Sequence, residues 1–233
     1  MTARTAVHGR RWWVAIAILV SMALGAGLWW GKRPVPSTPP PALESFLWPL
    51  LPPLEPFQLA EADGGPLTDQ QLLGQWTLLY FCYLAAEDFC RPFSELVAEI
   101  AVGLRDLAPF SARGQVLFVS FDAARDSPEA LREFARRLGP RVRAATAPPE
   151  ALHLLTRQLA VQSTKVSTGE AEDYGYAFAP ALLLIDPEAR AVAEFRAPFD
   201  RARIRDDVSQ IIGFLAGRAG NADRPGRTKA GSD

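Results

Sequence analysis

Apolar residues are distributed along this chain in three ways, and each way predicts a different kind of element. Between positions 12 and 31 twenty residues pass without a charge, from Trp12-Trp13 to Trp29-Trp30-Gly31. At about 1.5 Å per residue the run matches a bilayer core of about 30 Å, which predicts a transmembrane helix. Trp76-Thr77-Leu78-Leu79-Tyr80-Phe81 and the run from Gln115 to Phe121 are continuous and rich in aromatic or branched residues, the pattern of strands buried on both faces. Phe93, Leu96, Val97, Ile100 and Leu104 recur instead at helical spacing and predict a helix over 91–107. Ser127-Pro128-Glu129 supplies an N-cap hydroxyl, a proline at the first helical position and an acid in the first turn, opening a helix that runs to 138. A short strand follows at 142–145 and a helix at 149–161. Runs at 181–185 and 191–195, joined by a turn that opens Asp186-Pro187-Glu188, read as a hairpin, and an amphipathic helix at 201–217 closes the order.

The segments around these elements set the domain plan. The tryptophan pairs at each end of 12–31 suit the two membrane interfaces, and more positive charge lies before the span than after it, which keeps residues 1–11 in the cytoplasm. The alternative is a cleaved signal peptide, for which Ala23-Leu24-Gly25-Ala26 offers a small-residue site. Residues 32–56 form a linker, with nine prolines between 34 and 56 that favour extended polyproline II, and within it Phe46-Leu47-Trp48 is an apolar patch. The expected plan is therefore an inner (plasma) membrane anchor, single-pass, with a periplasmic domain at 57–217 and a disordered tail at 218–233. Of the chain's 25 basic and 26 acidic residues, five basic and no acidic ones fall in the first 33, leaving the exported part acidic. An acidic domain without a Lys/Arg cluster excludes nucleic acid as a partner.

Three stretches then carry a resemblance. Gly74-Gln75-Trp76-Thr77-Leu78-Leu79-Tyr80-Phe81, Asp122-Ala123-Ala124-Arg125-Asp126-Ser127-Pro128-Glu129 and Leu184-Ile185-Asp186-Pro187 together resemble the Sco/SenC family over residues 54 to 215, the middle block being the most distinctive. The resemblance implies an α/β, thioredoxin-like fold, a central mixed sheet flanked by helices, and the element order agrees. It also implies a role in assembling the copper A centre of cytochrome oxidase, with copper held by a Cys-x-x-x-Cys pair and a histidine. Carried onto this chain, the second cysteine falls on Cys90, but the first falls on Ala86 and the histidine on Phe178.

Little else in the chain offers soft donors for copper. The histidines are His8 and His153, the methionines Met1 and Met22, and no metal or other cofactor is expected, although two thiolates, Cys82 and Cys90, could hold Cu(I) without histidine. Cys90 should open a helix, where the helix dipole and Arg91 lower a thiol's pKa while Glu87 and Asp88 oppose them. Three states are open: a buried Cys82 beside a free Cys90, which is the first expectation, a Cys82–Cys90 disulfide, or a Cys90 linked to a partner. Pro180 holds the place of the cis-proline of redox thioredoxins, as a peptide-docking backbone or as a rigid lead into the strand. No nucleophile triad, P-loop or zinc spacing is present, and the carboxylates read as solvated charges on helices. The chain thus reads as a Sco-like accessory protein that binds an oxidase subunit or another assembly factor through Cys90, Phe89, Phe178 and Pro180. The rival reading is a thiol-disulfide oxidoreductase using Cys90 with or without Cys82.

Overall fold

The structure is a computed structural model that describes residues 21–22, 52–167 and 174–222. The expected span at 12–31, apart from helical Ser21 and Met22, most of the linker with Phe46-Leu47-Trp48, and the tail beyond 222 lie outside the described residues. Among the described residues no helix is long and apolar enough to cross a membrane. The chain divides into a unit of Met1–Thr38 with Gly217–Asp233 and a unit of Pro39–Ala216; the folded domain below is the second.

Its centre is built from the two apolar runs read in the sequence. They form β3 (Trp76–Cys82) and β4 (Gly114–Ser120), paired in parallel from Trp76 opposite Gly114 to Cys82 opposite Ser120. Around them stand β1 (Gln58–Glu61), β2 (Pro66–Thr68), β5 (Val142–Thr146), β8 (Ala181–Ile185) and β9 (Ala191–Arg196), giving one seven-stranded mixed sheet in the order β2-β1-β5-β4-β3-β8-β9. β4 and β5 are parallel, whereas β8 runs antiparallel to β3 and to β9. Helices α1 (Glu87–Gly103), α2 (Ala108–Arg113), α3 (Pro128–Leu138), α4 (Pro149–Gln158) and, as far as Ala216, α5 (Arg201–Ala222) complete the domain. This is the thioredoxin-type α/β arrangement.

Because successive strand residues point to opposite faces, β3 feeds two cores. Trp76, Leu78, Tyr80 and Cys82 join Phe93, Val97 and Ile100 of α1, Leu131 and Phe134 of α3, and Ile204, Val208 and Ile211 of α5. Leu79 and Phe81 join Leu152 and Leu155 of α4 together with Leu54, Phe57 and Leu59 from the start of the domain. Thr77, polar but fully buried, is satisfied by the Gln115 amide, which donates to its hydroxyl at 3.0 Å.

Several boundaries differ from the sequence reading. α1 begins four residues before 91, because Pro92 lies inside the helix rather than at its first position. It stops at Gly103, residues 104–107 form a turn instead, and the separate α2 follows, whose Phe110 ring presses on Gly114, where a Cβ would collide with it. α5 continues to Ala222, past the point where disorder was expected to begin. A second, two-stranded sheet of β6 (Ser163–Ser167) and β7 (Tyr174–Phe178) was not foreseen, and it pairs with no strand of the main sheet.

Candidate functional site

Strand parity and helix phase together bring the two cysteines into contact. Cys82 is the last residue of β3 and points to the α1 side, in line with Tyr80 and Leu78. After the loop 83–86, α1 starts at Glu87, and Cys90 falls one turn in, on the stripe that continues through Phe93, Val97 and Ile100. The Cα atoms lie 5.9 Å apart and the sulfurs are bonded as a disulfide, inside the usual disulfide range. The expected free Cys90 is therefore corrected to a bonded one, and a bonded sulfur does not titrate. Both cysteines are buried, Cys82 at 0% and Cys90 at 2% exposure. The Tyr83 N–H donates to Cys90 Sγ at 3.4 Å, and the Ser94 hydroxyl donates to the Cys90 carbonyl at 2.6 Å.

The acidic block after β4 holds the cysteine loop in place. Asp126 accepts from the Leu84 N–H at 3.0 Å and from the Ser120 hydroxyl. Asp122 accepts from Arg125 Nε at 2.5 Å and from the Tyr174 hydroxyl at 2.8 Å, and Ser127 caps α3 through the Ala130 N–H at 3.2 Å. Asp122, Asp126 and Asp186 are buried, which corrects their reading as solvated charges; Asp186 instead closes the β8–β9 turn by accepting from the Glu188 and Arg190 N–H groups. The signal that pointed to this was the distinctive spacing of the block itself. Two carboxylates next to a helix N-terminus and a strand end face inward when they have backbone donors to satisfy.

Burial raises the Asp126 pKa above its ordinary value, and the neighbouring Asp122 adds to this, while the Ser120 and Leu84 hydrogen bonds work in the other direction. The folded state thus holds this proton more tightly than the unfolded state. The contribution of Asp126 to stability is fully present below the ordinary carboxylate pKa and is lost as pH rises through the raised value. Asp126→Asn, which mimics the protonated acid, should flatten that part of the stability profile: in urea unfolding across mildly acidic pH the wild type should lose stability relative to the variant as pH rises. A constant difference would mean that Asp126 does not titrate in this window.

Aromatic side chains cluster beside the cysteine loop. Phe178, at the end of β7, lies 6.0 Å from Phe89, 6.4 Å from Tyr83 and 5.3 Å from Phe121 between ring centroids. Tyr83 meets Tyr176 at 5.3 Å, and its hydroxyl accepts from the Tyr176 N–H at 3.2 Å. Behind them Phe89 stacks on Phe93 at 5.6 Å and Phe93 on Phe199 at 4.6 Å. Arg125 and Lys165 both lie over the Tyr174 ring, at 3.8 and 3.4 Å. Three of the four expected site residues, Cys90, Phe89 and Phe178, are thus brought together; Phe178 is half-buried and Phe89 is 38% exposed. Pro180 links β7 to β8 through a trans bond, since the cis X-Pro bond among the described residues is Ala197–Pro198. Of the two readings of Pro180, a peptide-docking backbone or a rigid lead into the strand, the trans bond agrees with the second. Sequence reasoning missed Tyr83, Tyr174 and Tyr176 altogether.

The donors that a three-ligand copper site needs are not assembled by these residues. Positions 86 and 178 carry Ala and Phe, both sulfurs are spent in their mutual bond, and His153 is exposed on α4. Among the described residues no three of His, Cys, Asp and Glu group closely enough to hold an ion. The family model SCO1/SenC nevertheless matches residues 52–213, the whole of this frame.

The chain belongs to the SCO1/SenC family.

Its relatives include the human mitochondrial protein SCO1 homolog, 28% identical over 163 residues, a match that takes in 67% of this chain and 50% of that protein. The chain spans about half the length of the curated relatives it matches. The copper-bound crystal structure of Arabidopsis thaliana ScoI superposes with a TM-score of 0.63 at 25% identity, covering 68% of this chain and 97% of that one. BsSco, a member of the Sco family of cytochrome c oxidase assembly proteins in which a disulfide switch has been identified, shares the fold at a TM-score of 0.54 and 17% identity, over 72% of this chain and 99% of its own. SCO1/SenC relatives thus bind copper in their structures, and the fold is held in common, while the donor set in this chain is its own.

Proposed function

We propose that this chain is a membrane-anchored SCO1/SenC accessory protein for assembly of a respiratory (cytochrome c) oxidase, and that it acts by binding a protein partner without the family's copper site. The observation that carries this reading is the replacement at the site: a half-exposed aromatic surface of Phe89, Phe178, Tyr83 and Tyr176 stands where the resemblance places two copper ligands. Aromatic side chains on a firm support are common anchors of protein interfaces. The partner is an oxidase subunit or another assembly factor. The uncharged span at 12–31 would anchor the chain in the inner membrane, with the proline-rich segment holding the domain off the periplasmic surface.

The test is complementation of a deletion strain by the full chain, read as oxidase activity and as partner co-purified from carbonate-washed membranes. Phe89→Asp, on an exposed position, should fold normally and weaken partner capture by about 30-fold, the size of an interface hot spot. Cys82→Ser/Cys90→Ser should keep most of the activity. Full loss from Cys90→Ser, in a chain that folds and stays in the membrane, would reject binding alone. A chain recovered only as a soluble form would reject the anchor.

The disulfide favours a second reading, a thiol-disulfide oxidoreductase using Cys90 with Cys82. Cu(I) held by the same two thiolates after reduction is the third.

A further inference from the structure

The two sulfurs of the disulfide are not equivalent in what reaches them. Cys82 is fully enclosed, between β4 and the aromatic core. Cys90 forms part of the lining of a groove of about 550 Å³ between α1 and α3, with Leu84, Ala130, Phe134 and Leu138 making its apolar floor. The groove's rim carries Glu87, Glu95 and Glu133 against Arg91 and Arg137; Arg91 is paired with Glu87 at 2.8 Å and Arg137 with Glu133 at 4.0 Å. The rim is therefore acidic by one charge. Cys90 also has the means to stabilise negative sulfur. The Tyr83 N–H points at Sγ at 3.4 Å, and α1 has no side-chain cap over its first turn, although Glu87 and Asp88 in that turn work against its dipole.

From this asymmetry we infer that Cys90 is the sulfur at which the Cys82–Cys90 bond is exchanged, and that its partner is a dithiol protein presenting a cysteine flanked by an apolar and a basic residue, entering along the α1–α3 groove. The inference deepens the second reading above and rests on it. One thiolate of the partner attacks Cys90 Sγ, forming a mixed disulfide and breaking the Cys82–Cys90 bond. Cys82 Sγ leaves with the electron pair and is protonated through water, to which the partner's second thiol gives up its proton. That second sulfur, now a thiolate, attacks the partner's own sulfur in the mixed disulfide and releases Cys90 as a thiolate held by the Tyr83 N–H. The partner leaves oxidised by two electrons, and the chain keeps one thiol and one thiolate, so a single turnover needs no further reagent.

The full chain in detergent provides the test, with 5,5′-dithiobis(2-nitrobenzoate) as the probe. In Cys82→Ala the remaining Cys90 should react at least about 100-fold faster than the remaining Cys82 in Cys90→Ala, because a fully enclosed thiol reacts only through local opening. Ala130→Trp, placed in the Cys82→Ala background to fill the groove, should slow Cys90 by about tenfold with an unchanged circular dichroism spectrum. Because either cysteine variant could fold poorly, the wild-type chain gives an independent reading: partial reduction with glutathione, quenched with acid and mapped by peptide mass spectrometry, should place the adduct on Cys90. Equal rates, an adduct on Cys82, or no effect of the groove plug would overturn the assignment. An adduct on Cys90 combined with full oxidase assembly by the double cysteine variant would sink the second reading while leaving the sulfur assignment intact.

Discussion

The triple variant Cys82→Ala, Ala86→Cys, Phe178→His is expected to hold about one equivalent of Cu(I) through gel filtration against a modest thiol competitor, where the wild-type chain, even reduced, holds none. The reasoning starts from position. Residues 86 and 90 are one helical turn apart, with the Cys90 N–H donating to the Ala86 carbonyl at 2.7 Å, and the Phe178 ring reaches over the same turn to meet Phe89. Restoring a thiol and an imidazole there, while freeing Cys90 from Cys82, recreates the family's donor set on an unchanged frame. The copper content of the folded variant decides the matter. A folded triple variant without copper would mean that the frame itself, beyond the donors, has departed from the family. Tightly held copper in the reduced wild type, lost in Cys90→Ser, would point instead to the two-thiolate site.

The second large effect concerns stability. The disulfide joins residues separated by eight positions, and closing so short a loop in the unfolded chain is worth about 2.5 kcal/mol on the chain-entropy model. For a domain of this size that corresponds to a fall in Tm of about 5 to 10 °C on reduction. Calorimetry of the wild-type chain with and without reductant, beside the double variant Cys82→Ala/Cys90→Ala, measures it. The reduced wild type and the double variant should melt within a few degrees of each other, and a wild-type Tm indifferent to reductant would show that the cysteines are not paired in solution.

What could be read in advance follows the strength of the apolar signal. β3, β4, β8 and β9 lie where their apolar runs placed them, because strands in the middle of a sheet are covered on both faces and are mostly apolar, while edge strand β9 keeps Glu194 and Arg196 toward solvent. The start of α3 was legible from Ser127 and Pro128, whose capping chemistry is local. By contrast, Ser-Thr-Lys-Val-Ser in β6 is exposed at every position, so no alternation marks it as a strand. Pro92 concealed the first turn of α1, since a proline in a helical stretch normally marks the first position. The disulfide had a signal that went unused: Cys90 is in phase with Phe93, Val97 and Ile100, and Cys82 with Leu78 and Tyr80, so both had to point into one layer. Tyr174 and Tyr176 could not have been found this way, because they reach Tyr83 from a strand pair about ninety residues further along the chain.

That strand pair also decides how the domain moves. Among the described residues β6 and β7 pair with each other and with no strand of the seven-stranded sheet, so besides the chain itself their ties to the domain include the side-chain contacts of Tyr174 with Asp122, Tyr176 with Tyr83 and Phe178 with Phe121. It should swing as a clasp, its amides exchanging with deuterium together and far sooner than those of β3 and β4, in the manner of a low-stability cooperative unit. Each opening should lift Phe178 and Tyr176 away from Tyr83 and so change the aromatic surface that this end of the molecule offers to a partner.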